Sequence, residues 1–106
     1  MYELEIDLEN KFRKFVKKQK GLTYKWTGSR EKLDLIVVSH TGFVGLLELK
    51  KPDGTGRLTP QQKKIIHDIK KIVPGVAVVS DRFDECVSWY HMLSVGMFTK
   101  TEEMVE

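Results

Sequence analysis

The stretch from Thr59 to Gly75 does most to limit how this chain can fold. Thr59-Pro60 is a helix opening: a hydroxyl to cap the first free amides, then proline where its missing N–H costs nothing. Ile65, Ile66, Ile69 and Ile72 or Val73 then recur at helical spacing until Pro74-Gly75 stops the pattern. On either side lie apolar runs too short for helices, Gly45-Leu46-Leu47-Glu48-Leu49-Lys50-Lys51 and Val76-Ala77-Val78-Val79. A helix between two strands is a crossover, so these two strands should run parallel. Upstream, Leu33-Asp34-Leu35-Ile36-Val37-Val38 is separated from the first run by the turn-like His40-Thr41-Gly42, which suits an antiparallel hairpin. One sheet must therefore hold both kinds of pairing.

The flanks complete the order. Residues 3–18 read as a helix with Leu4, Leu8, Phe12 and Phe15 or Val16 on one face and Gly21 as its C-terminal cap. Thr23-Tyr24-Lys25-Trp26 alternates and favours a strand, and 27–32 is a polar loop. After the fourth strand, Ser80 or Asp81 caps a third helix that turns Phe83, Val87, Tyr90 and Leu93 to the core, with Cys86 a buried helix residue. Residues 97–106 read as a short strand or arm and an acidic tail. The expected order is α-β-β-β-α-β-α: an α/β fold with a mixed sheet flanked by helices, in a single domain over 1–106.

Charge is distributed unevenly. Residues 11–71 carry 16 Lys/Arg against five acids, whereas residues 1–10 carry four acids and no base. A basic centre between acidic ends is a footprint suited to a polyanion. No apolar run reaches membrane-spanning length and the N-terminus is acidic, so an intracellular, cytoplasmic protein without a membrane partner is expected. A single cysteine excludes an internal disulfide and a cysteine-rich zinc site. His40, His67 and His91 show no metal-ligand spacing.

The chemistry concentrates in the two central runs. Asp34 and Glu48 are carboxylates inside otherwise apolar strands, where a charge ordinarily has a partner. Glu48 and Lys50 stand two apart and share a strand face. An E-x-K pair on an exposed strand is usually just solvated; the apolar setting and the upstream Asp34 distinguish this one. Two carboxylates meeting across a hairpin form a hard oxygen site suited to Mg²⁺ or Mn²⁺, with an amine beside it to stabilise developing negative charge.

The string Leu33-Asp34 … Glu48-Leu49-Lys50-Lys51-Pro52 … Arg57-Leu58-Thr59-Pro60-Gln61-Gln62 resembles the VRR-NUC branch of the PD-(D/E)XK nuclease superfamily, over nearly the whole chain. The family's Gly-x-Pro-Asp is here Glu31-Lys32-Leu33-Asp34. A similar Leu-Asp-Leu string occurs in archaeal Holliday-junction resolvases of the same superfamily, and the departure bears on substrate shape more than on the ligands. The resemblance implies a restriction-endonuclease-like core, with Asp34, Glu48 and the Leu49 carbonyl as metal ligands and Lys50 as the catalytic lysine. It implies Gln62 as an added polar site residue, and Glu9 as the first-helix acid, reaching the metal directly or through water, with Glu5 as fallback.

Free-standing members of this family, common in phages and bacteria, resemble Holliday-junction resolvases and act as homodimers. The resemblance thus implies a metal-dependent, structure-selective DNA endonuclease acting on branched DNA. Lys51, Arg57, Lys63, Lys64, Lys25, Arg30 and Lys32 surround the expected site as phosphate contacts. The alternatives are a flap or nicking nuclease of a repair or restriction system, or a non-catalytic DNA-binding module that keeps the nuclease fold.

Overall fold

The computed structural model describes residues 4–26 and 33–100. The chain runs α1 (Glu5–Lys18), β1 (Leu22–Lys25), β2 (Leu35–Val38), β3 (Val44–Leu49), α2 (Pro60–Ile72), β4 (Ala77–Ser80) and α3 (Phe83–Ser94). The strands form one sheet in the order β1-β2-β3-β4. The β1–β2 and β2–β3 pairs are antiparallel and β3–β4 is parallel, as a hairpin followed by a helical crossover requires. The polar loop expected at 27–32, with Arg30 and Lys32, and the tail at 101–106 lie outside the described residues, as does the expected start of α1 at residue 3.

Alternate strand residues build the core. Leu35, Val37, Leu47 and Leu49 are fully buried against Leu8, Phe12 and Val16 of α1 and Cys86, Trp89, Tyr90 and Leu93 of α3. Burying each of these large side chains contributes about 1.5–3 kcal/mol. The opposite sheet face carries two apolar rows fixed by the register, Leu22–Val38–Val44 and Tyr24–Ile36–Leu46–Ala77. Leu22, Tyr24 and Val44 are exposed. No helix among the described residues is long and apolar enough to cross a membrane.

Several local expectations are corrected. Lys20, at φ 73°, takes the left-handed position at the end of α1, and the amides of Lys20 and Gly21 close the turn onto the carbonyls of Lys17 and Val16. Gly21 is instead required by space, since a Cβ there would stand 2.6 Å from the Tyr90 hydroxyl and 2.8 Å from the Val38 carbonyl. Arg82 occupies the N-cap of α3, while the Ser80 hydroxyl accepts its amide from outside the helix. In α3 the fully inward positions include Cys86 and Trp89, with Val87 only half-buried. Residues 97–100 form no strand; Phe98 packs on the core beside Gly75. In α1, Leu4 is the exposed N-cap residue and not part of the core. In α2, Ile65, Ile66 and Ile69 are half-buried and Ile72 is exposed, so this helix lies on β4 without a fully buried side chain.

Candidate active site

The hairpin register builds the centre of the site. Leu35 faces Leu47 across β2 and β3, so the next antiparallel position outward brings Asp34 opposite Glu48. Two reciprocal bonds lock this pair. The Asp34 amide donates to Glu48 Oε1 at 3.0 Å, and the Leu49 amide donates to Asp34 Oδ2 at 2.8 Å. Each carboxylate is thus fixed by a backbone N–H through one oxygen. Asp34 Oδ1 accepts no hydrogen bond from the described residues, and Glu48 Oε2 is met by Lys50 Nζ at 2.9 Å.

Lys50 follows Glu48 at the strand-face repeat of two. Its amide donates to the Ser80 carbonyl of β4, so the parallel partner sets its backbone. Its ammonium also donates to Gln62 Oε1 at 3.3 Å. Gln62 arrives there because α2 begins with a capping box: the Gln62 amide donates to Thr59 Oγ1 at 3.1 Å, and Gln62 Oε1 accepts the Thr59 amide at 3.0 Å. Helix start and site residue are therefore the same side chain. Gly56 lies so near the Lys50 stem that an added Cβ would come within 2.9 Å of it.

The electrostatics follow from burial. Glu48 is only 2% exposed, and its carboxyl is held above the ordinary carboxylate range. Burial is the largest cause, the Asp34 charge adds to it, and the bond from Lys50 only partly offsets it. Glu5, in the first turn of α1, is also raised, by burial first and then by Asp34, with Lys50 acting in the opposite sense. The first-helix acid in the field of the carboxylate pair is therefore Glu5. Glu9 is taken up by two cations, Lys25 at 3.3 Å and Arg13 at 3.5 Å.

The outlying basic residues have separate settings. A cavity of about 360 Å³ opens beside Lys50, lined by Gly56, Arg57, Leu58, Lys63 and Asp81 among others. Arg57 folds its guanidinium onto the carbonyls of Gly54 and Gly56 at 3.2 and 2.9 Å. Lys51 and Lys63 are exposed, whereas Lys64 pairs with Asp68 at 2.7 Å. No local sequence signal marks Ser80 and Asp81 as neighbours of Lys50. The parallel register of β4 on β3 brings them there.

Among the described residues no three His, Cys, Asp or Glu side chains gather as a ligand set. The donors that do converge, Asp34 and Glu48, are two hard carboxylates. That matches the way Mg²⁺ is commonly held, by one or two carboxylates with water and substrate phosphate completing the shell. No protein-family model matches the chain, and no curated protein or solved structure matches it either.

Proposed function

We propose that this chain is a divalent-metal-dependent endodeoxyribonuclease that hydrolyses phosphodiester bonds in branched DNA, acting as a homodimer on four-way junctions. The observation that carries the reading is the bonded constellation Asp34–Glu48–Lys50–Gln62 at the edge of the hairpin. It joins two carboxylates, an amine and an amide from three separate elements, and the sequence string that resembles VRR-NUC nucleases runs through the same four residues. A nuclease core of the restriction-endonuclease type is consistent with the observed strand order.

A bound Mg²⁺ or Mn²⁺ supplies Lewis acidity toward a phosphate oxygen and lowers the pKa of a bound water. Asp34 and Glu48, with the Leu49 carbonyl, would hold it. Lys50 Nζ has three donors; Glu48 and Gln62 engage two, which leaves one for an oxygen of the scissile phosphate. Gln62, pinned by the helix cap, keeps that ammonium aimed. Lys51, Arg57 and Lys63 supply positive charge around the cleft for flanking phosphates.

A homodimer is supported by the open apolar sheet face. Leu22, Tyr24 and Val44 are each more than half exposed on it, and soluble monomers rarely leave such a contiguous patch uncovered. A second copy offers the same apolar patch, the self-complementarity a two-fold contact needs, and a pair of sites for the two strands of a junction.

The test is incubation of the pure chain with labelled four-way junction, flap and linear duplex DNA in Mg²⁺, in Mn²⁺ and in EDTA. Metal-dependent cutting of the junction is expected. Absence of cutting on all substrates with both metals defeats the enzyme reading, and salt-sensitive DNA binding without cutting would favour a non-catalytic DNA-binding module. Cutting of flaps or nicking of duplex alone would move the substrate to the repair or restriction class.

A further inference from the structure

A second positively charged surface lies away from the carboxylate pair, in the groove between α1 and β1. Its volume is about 490 Å³, and Asn10, Arg13, Lys14 and Lys17 line one wall while Gly21 and Thr23 line the other. The four helix residues stand at i, i+3, i+4 and i+7, the spacing that brings side chains onto one face. Among the described residues no carboxylate lines the groove.

The cations differ in how they are held. Arg13 is fixed: its Nε donates to Thr23 Oγ1 at 2.9 Å, and its two terminal nitrogens reach the Thr23 carbonyl and Glu9 Oε2, each at 3.5 Å. A guanidinium locked in this way is pre-organised to present its remaining donors to a phosphate. Lys14 and Lys17 are exposed and have no acidic partner among the described residues. Their charge is therefore neutralised only by solvent ions, which a polyanion can displace.

A chain of contacts links the groove wall to the candidate active site. Glu9 bridges Arg13 to Lys25, and Lys25 pairs with Leu35, the neighbour of Asp34. From Glu5, beside the carboxylates, to Lys14 and Lys17 is nine and twelve residues of α1, or about 14–18 Å of helix.

We infer that the α1–β1 groove binds the sugar–phosphate backbone of the DNA substrate on the flank of the scissile position, through Arg13, Lys14 and Lys17. This rests on the nuclease reading for its substrate, but the contact is read without cleavage. The experiment measures binding of fluorescently labelled four-way-junction DNA to the full chain in EDTA across a series of salt concentrations. It compares wild type, Lys14→Ala/Lys17→Ala, Lys14→Arg/Lys17→Arg, and Lys70→Ala/Lys71→Ala as a charge-matched control at the far end of α2.

Each lost phosphate contact removes about one from the slope of log K against log salt. The groove double-alanine variant should therefore bind more weakly with a slope shallower by about two, while the arginine pair and the α2 control keep the wild-type slope. A wild type that binds DNA with the same slope as the double-alanine variant overturns the groove and leaves the nuclease reading standing. So does an equal loss in the α2 control, because it would show that net charge alone sets the binding. A wild type that binds no DNA overturns both.

Discussion

Glu48→Gln separates a charge kept for chemistry from one kept for stability. Glu48 is 2% exposed and its carboxyl is raised, chiefly by burial and then by Asp34. The sign follows directly. A group with a raised folded pKa favours the fold while protonated, so its contribution is fully present below the unfolded value of 4.5 and is lost as pH rises through the folded value. Once ionised, Glu48 therefore supports the metal-free fold less than it does when protonated.

Glutamine keeps the acceptor for the Asp34 amide and removes the charge, and Lys50 keeps Gln62 and is free to extend toward solvent. The expected change at pH 7 is neutral to stabilising, within about 1 kcal/mol, an upward Tm shift of no more than about 4–8 °C for a domain of this size. Followed by circular dichroism from pH 4 to 8 without metal, the advantage of the variant should grow with pH and then level off. Mn²⁺ at a hundred times its Kd should add about 2.7 kcal/mol to wild type and nothing to the variant. A loss of about 3–5 kcal/mol, the cost of stranding one partner of a structural ion pair, would refute the reasoning and make Glu48–Lys50 a fold-holding bridge.

Three further outcomes are expected. Lys50→Ala should lower the single-turnover cleavage rate on junction DNA by about 10²–10³-fold, with anisotropy showing DNA affinity nearly unchanged. Gly45→Ala would place a Cβ 2.5 Å from Trp89 Cζ2 and 3.1 Å from the Val76 carbonyl. Trp89 cannot retreat, because its Nε1 donates to the Gly75 carbonyl at 2.7 Å; a loss of about 3 kcal/mol should appear in urea unfolding. The Cys86 thiol, buried and pushed up to about 11, should resist a thiol reagent at pH 8 in the folded chain and react at once in guanidinium.

The parts of the fold legible in the sequence were those set by short-range signals. The Thr59-Pro60 opening and the Pro74-Gly75 stop bracket the crossover helix, and that helix alone forces the parallel pair. His40-Thr41-Gly42 bends the hairpin with Gly42 at φ 100°. Once the hairpin is granted, the meeting of Asp34 with Glu48 follows from register. What was illegible depends on how whole elements dock. The rotation of α1 decides whether Glu5 or Glu9 meets the carboxylates, and both lie on the same helical face one turn apart. The partners of Glu9, Arg13 and Lys25, come from the same helix and from β1, a strand whose pairing no local signal fixes. The half-exposure of α2 was hidden for a related reason: its isoleucine spacing marks an apolar face but not how much of that face the sheet can cover.

Asp34, Glu48 and Gln62 each commit one oxygen to a structural role besides the chemical one proposed for them. Asp34 Oδ2 receives the Leu49 amide, Glu48 Oε1 receives the Asp34 amide, and Gln62 Oε1 closes the cap of α2 while touching Lys50. A chain of 106 residues has little interior to devote to side chains that only support a site. Here backbone amides orient the carboxylates, and a helix cap orients the lysine, at no cost in additional buried groups. Truncation to alanine at Asp34, Glu48 or Gln62 therefore disturbs hairpin or helix together with the chemistry, and a lost activity in such a variant is ambiguous. Isosteric changes that preserve the acceptor oxygen, Asp34→Asn and Glu48→Gln, keep the backbone bonds and alter only the charge. For that reason they report on the carboxylate pair in a way that alanine cannot.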